Sequence, residues 1–85
     1  MQRTAIFGAG TYRIHLAASG APMLDVSIRF ADQAVKTFVA YREKYTFGAS
    51  AMELGCGNIY DARNVLIGRI SYNGRIWNAE GSPVE

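Results

Sequence analysis

Two runs of strict alternation constrain this chain more than any other feature. Tyr12, Ile14 and Leu16 alternate with Arg13 and His15, and Leu24, Val26, Ile28 and Phe30 alternate with Asp25, Ser27 and Arg29. Period 2, with one apolar and one polar side, describes a strand buried on one face only. A sheet made of such strands needs a cover on its apolar side and leaves the other side to solvent or to a partner. Ser19-Gly20-Ala21-Pro22 separates the two runs and reads as the loop of a first hairpin.

The cover comes next in the chain. Ala34, Phe38, Tyr41 and Tyr45 recur at helical spacing, widened by Val35 and Val39, so residues 32–45 are expected to form an amphipathic helix. Asp32 is the expected N-cap. Arg42 and Lys44 complement the dipole in the last turn, and Gly48 ends the element.

Residues 48–57, with Gly48, Gly55 and Gly57, show no regular period, although Met52 and Leu54 are candidate strand positions. Residues 58–61 read as a short strand running into a turn at Ala62-Arg63-Asn64. Residues 65–72 read as a strand, Asn73-Gly74 as a two-residue turn of I′ geometry, and residues 75–78 as the returning strand. Residues 81–85 are expected to fray. With 85 residues and no repeat, linker or low-complexity tract, the whole chain, 1–85, reads as a single domain. The expected fold is α+β, an antiparallel sheet of about five strands in the order β-β-α-β-β-β with one helix on one face.

The pleat turns this fold into a surface. On the first two strands, Arg13, His15, Asp25, Ser27 and Arg29 face away from the helix. A two-residue turn would pair Tyr72 with Arg75, setting Ile70 opposite Trp77 and Arg69 opposite Asn78. Leu66, Ile70, Tyr72 and Trp77 then share the helix side. Ile67, Arg69, Ser71, Ile76 and Asn78 share the open side, and Tyr72 and Arg75 extend it at the hairpin tip. The plainest account of these polar positions is a solvated sheet face. The sharper account is a recognition face: arginine makes forked, charge-assisted hydrogen bonds to phosphates and carboxylates, and Asp25 is the one acid expected there. Arg13, His15, Arg29, Arg69, Tyr72 and Arg75 are therefore the candidate partner-binding residues.

Catalytic and metal chemistry find little support. His15 is the only histidine and Cys56 the only cysteine, too few for a zinc site. A Cys56–His15 dyad would need an orienting group and an oxyanion site as well. Gly8-Ala9-Gly10 and Gly55-Cys56-Gly57 lack the strand–helix context and downstream acid of a dinucleotide site. The acids are scattered, and no pair is set by periodicity for acid–base work. No catalytic residue, metal or cofactor is expected. Among the aromatics, Tyr12, Phe30, Phe38, Tyr41 and Trp77 fall on core positions, while Tyr60 and Tyr72 remain open as stacking surfaces.

Formal charge is +2, mildly basic, which excludes a nucleic-acid mimic and falls short of a DNA-coating protein. There is no run of about 18 apolar residues, so no membrane span is expected. With a lone cysteine and no secretory pattern in residues 1–10, a cytoplasmic setting is expected.

Phe30-Ala31-Asp32-Gln33-Ala34-Val35-Lys36 and Ile70-Ser71-Tyr72-Asn73-Gly74-Arg75-Ile76-Trp77, with the surrounding layout, resemble small phage and mobile-element proteins, including anti-CRISPR inhibitors of type I effector complexes. The resemblance covers about half the chain, and the glycine-rich residues 48–57 depart from it. It implies a non-enzymatic inhibitor docking on a CRISPR-Cas effector complex through a basic and polar sheet face. Direct nucleic-acid binding by the same face is the alternative, and the sheet edges leave room for a homodimer.

Overall fold

The computed structural model describes residues 11–81 and 83. Both early alternating runs are strands, β1 (Tyr12–Leu16) and β2 (Leu24–Ile28), followed by α1 (Ala31–Tyr45), a single 3-10 turn (Ala49–Ala51), β3 (Asn58–Tyr60), β4 (Leu66–Ile70) and β5 (Ile76–Asn78). The strands form one antiparallel sheet in the order β2-β1-β3-β4-β5. This is the expected α+β fold. Gly8-Ala9-Gly10 and tail residues 82, 84 and 85 lie outside the described residues, whereas Pro83 bridges Trp77.

The core lies between the sheet and α1. Ile14, Leu16, Ile59 and Ile70 from three strands meet Ala34, Phe38 and Tyr41 from the helix, all at most 4% exposed. A Phe38→Ala truncation in such a core typically costs about 3–5 kcal/mol. Tyr41 buries its ring and still satisfies its hydroxyl, donating to Pro22 O at 2.6 Å, which ties the first hairpin loop to the helix.

Helix entry differs from the expectation. Phe30, not Asp32, is the N-cap residue, and it is 62% exposed rather than in the core. The strand ends before reaching it, so the alternation that placed it inside no longer applies. Gln33 takes over the capping, its Oε1 accepting from Arg29 N at 2.7 Å and Phe30 N at 3.0 Å. Asp32 sits inside the first turn, where its charge complements the dipole. At the far end Thr46, in the left-handed region at φ 48°, terminates the helix two residues before Gly48.

The aperiodic residues 48–57 extend the sheet by single contacts. Met52 bridges Ala18, while Leu54 is fully exposed in a turn. Gly57 then forms a seam: its N–H donates to His15 O at 2.6 Å and its carbonyl accepts from Ile70 N at 2.9 Å. A Cβ there would lie 2.3 Å from Ile70 O, and φ is +89°, so the position requires glycine on both counts.

The closing hairpin is the main correction. Ile70 pairs with Ile76, Arg69 with Trp77 and Gly68 with Asn78. The loop has three residues, with Gly74 N donating to Ser71 O at 2.8 Å and Ser71 N to Arg75 O at 2.9 Å. A I′ turn needs positive φ at both Asn73 and Gly74, and only Gly74 has it, at 87°. The geometry is a type I turn closed by a glycine bulge. Asn73 supports it from its side chain, Oδ1 accepting from Ser71 Oγ at 2.6 Å. One residue of slip reverses β5: Ile76 is buried in the core, and Trp77 turns to the opposite side.

Candidate functional site

Residues directly opposite in a ladder share a face, so the register defines the open side of the sheet. It carries Asp25 and Ser27 on β2, Arg13 and His15 on β1, Asn58 and Tyr60 on β3, Arg69 on β4 and Trp77 on β5. The pleat brings Arg75, two residues before Trp77, to the same side. The side chains fall into two clusters.

The first cluster is centred on Arg13. Its Nη1 donates to Asp25 Oδ1 at 3.0 Å, its Nη2 to Asn64 Oδ1, and its guanidinium lies 4.6 Å from the centre of the Tyr60 ring. His15 Nδ1 stands 3.1 Å from the same Asp25 oxygen. Asn58 Nδ2 donates to the Tyr60 hydroxyl at 3.1 Å, fixing the ring from below. Desolvation pushes the Asp25 carboxyl up, but His15 and Arg13 together outweigh it and hold the group below the usual carboxylate range.

Asn64 reaches Arg13 because Asp61 folds the turn after β3. Asp61 Oδ1 accepts from Arg63 N at 2.8 Å and Val65 N at 2.9 Å, and Asn64 takes a left-handed φ of 66°. The Val65 and Arg63 amides lower the Asp61 carboxyl against a smaller effect of desolvation.

The second cluster is Arg69, Trp77 and Arg75. The Arg69 guanidinium lies 5.5 Å from the centre of the Trp77 ring. Arg69 and Arg75 are exposed, and among the described residues neither has a carboxylate within salt-bridge distance. Trp77 is half-buried, and its Nε1 is buried with no hydrogen-bond partner among the described residues.

Of the expected partner-binding residues, Arg13, His15, Arg69 and Arg75 therefore lie on one face. Arg29 stands beyond the end of β2, exposed at the corner leading into α1. Tyr72 belongs to the helix side: its hydroxyl donates to Phe47 O at 3.1 Å, Arg42 donates to its carbonyl at 2.7 Å, and the Arg42 guanidinium lies 5.4 Å from its ring centre.

Ile76 and Asn78, expected on the open side, give way to Trp77 and Arg75. The missed members are Trp77, Asn58 and Asn64. A signal for Trp77 was present in the sequence: Ile70 and Ile76 are a matched β-branched pair for the core, and pairing them sends Trp77 outward.

Cys56 sits in the core cluster, and burial pushes its thiol up. His15 points to the other side of the sheet, so the two do not form a dyad. No helix among the described residues is long and apolar enough to cross a membrane. No family model, curated protein sequence or solved structure matches this chain.

Proposed function

We propose that this protein is a non-catalytic binding module that docks on a partner complex through the open face of its sheet. The observation that supports this reading most is the second cluster, an exposed arginine over a half-buried tryptophan, flanked by a further exposed arginine. Tryptophan, tyrosine and arginine are the residues most enriched among interface hot spots, and here they stand on rigid strands rather than on loops. The first cluster supports it further, because Arg13 and Tyr60 are held in place before any partner arrives and lose little freedom on binding. Following the resemblance to anti-CRISPR inhibitors, the partner is a CRISPR-Cas effector complex and the protein acts as its inhibitor.

The test is capture of the purified effector complex by the tagged protein, with and without nuclease. Charge reversal at Arg69 and Arg75 should abolish capture, whereas reversal of the exposed Lys36 on α1 should leave it intact. Capture unaffected by the Arg69 and Arg75 reversals would remove the open face from consideration.

A further inference from the structure

Resting on that docking reading, we infer that the ligand of the open face is single-stranded nucleic acid, bound with its bases against the arginine–aromatic stacks and its phosphates on Arg69 and Arg75. The chemistry of the face separates this from a protein-to-protein contact. Protein interfaces have an apolar centre, whereas nucleic-acid interfaces are more polar and much more positive. Along the ladders from β2 to β5 the open side presents Ser27, Asn58, three arginines and a histidine, with Asp25 the one acid among the described strand residues there, while Ile67 packs against the core.

Asp25 is already ion-paired with Arg13 and close to His15 Nδ1, so it offers little repulsion to a phosphate. Among the described residues, no carboxylate lies within salt-bridge distance of Arg69 or Arg75 at the β4–β5 end.

The two stacks explain why the strand should be single. Tyr60 and Trp77 lie on β3 and β5, two strand spacings across and two residues along, roughly 12 Å apart. Each ring carries a guanidinium, at 4.6 Å for Arg13 on Tyr60 and 5.5 Å for Arg69 on Trp77. Arginine planes and aromatic rings both stack on bases, but only on bases freed from a duplex. Arg13 is held edge-on by Asp25 and Asn64, which leaves its outer face as a flat platform.

Trp77 is the only tryptophan in the chain, so its intrinsic fluorescence reports directly on this surface. The experiment titrates the full-length protein with a fluorescein-labelled oligouridylate of about 12 nucleotides, within the usual site size of such surfaces, and with a duplex of equal length. Anisotropy and Trp77 quenching are read together at several salt concentrations.

The expected result is saturable binding of the single strand with quenching, and weaker binding of the duplex without it. For the two phosphate contacts at Arg69 and Arg75, the log–log salt slope should be about −1.4. Trp77→Ala should weaken binding roughly 5- to 150-fold, the range for losing one stacked base, with Trp77→Phe restoring most of it. Arg69→Glu, at an exposed position that the core does not need, should weaken binding and flatten the slope by about 0.7.

A flat salt response, equal duplex binding, or absence of quenching overturns the assignment. If the oligonucleotide fails but the effector complex is still captured in an Arg69-dependent manner, the ligand is protein and the docking reading stands. If Arg69→Glu changes neither, both readings fall.

Discussion

The two arginine–aromatic stacks of the open face look alike in outline and differ in what surrounds them. Arg13 on Tyr60 is tied at both ends, by Asp25 and by Asn64, and His15 shares the same carboxylate oxygen. Among the described residues, Arg69 on Trp77 has no carboxylate within salt-bridge distance, and Arg75 is its flanking charge. A guanidinium held by two partners is part of a pre-organised scaffold. One resting on a ring with its charge uncompensated has capacity left for a ligand. The difference assigns the β1–β3 side to a pre-organised stacking platform and the β4–β5 side to phosphate capture.

The sharpest way to break this division is at Gly57, whose backbone joins the β1 cluster to β4. Gly57→Ala places a Cβ against Ile70 O and forces a strained φ, so stability should fall by more than about 2 kcal/mol. Thermal unfolding would show a Tm lower by roughly 10 °C or more, with both clusters lost together. A variant that kept its Tm would show that the seam does not couple the two halves.

Next in size is the capture side. Trp77→Ala and Arg69→Glu should each reduce partner binding by about tenfold or more in the capture and anisotropy experiments. Circular dichroism should show the sheet retained in Arg69→Glu. A comparable loss for Arg13→Gln would erase the distinction between the clusters.

The scaffold side should respond more weakly. Asp25→Asn removes a partly exposed ion pair, and such pairs contribute about 0–1 kcal/mol, so binding should stay within about fivefold of wild type. A larger loss would move Asp25 from scaffold to binding residue.

The smallest effect is in the pH profile of stability. Asp25 and Asp61 both have folded-state carboxyls below their ordinary value. Each therefore contributes stability above its unfolded pKa and loses it as pH falls through the lower folded pKa. Wild-type Tm should decline below about pH 4, and Asp25→Asn should decline less while keeping the part due to Asp61. Identical profiles for the two proteins would mean that Asp25 gains nothing from Arg13 and His15.

Much of this was legible from residue order. The alternation at Tyr12–Leu16 and Leu24–Ile28 placed Arg13, His15, Asp25 and Ser27 on the open face, because a strand has only two sides and its apolar set must take the buried one. The spacing of Ala34, Phe38 and Tyr41 placed the helix over the sheet for the same reason. Arg69 fell on the open side under either hairpin register, since both keep Ile70 in the core.

The hairpin read differently because Asn-Gly is compatible with more than one loop. Local preference for a I′ turn competed with the burial of Ile76 against Ile70, and the three-residue loop with its bulge satisfied the core. Phe30 was misplaced because alternation carries no information about where a strand stops.

Residue order by itself thus determined the elements, the covered side of the sheet and the arginine content of the open side, all of which follow from burial and backbone periodicity. Only the tertiary structure decided that Trp77 joins Arg69, that Asn64 reaches Arg13 across 51 residues, and that Gly57 seams β1 to β4. Those facts depend on a one-residue register and on contacts between distant segments, where several local solutions are nearly equal in energy and packing of the whole sheet selects one.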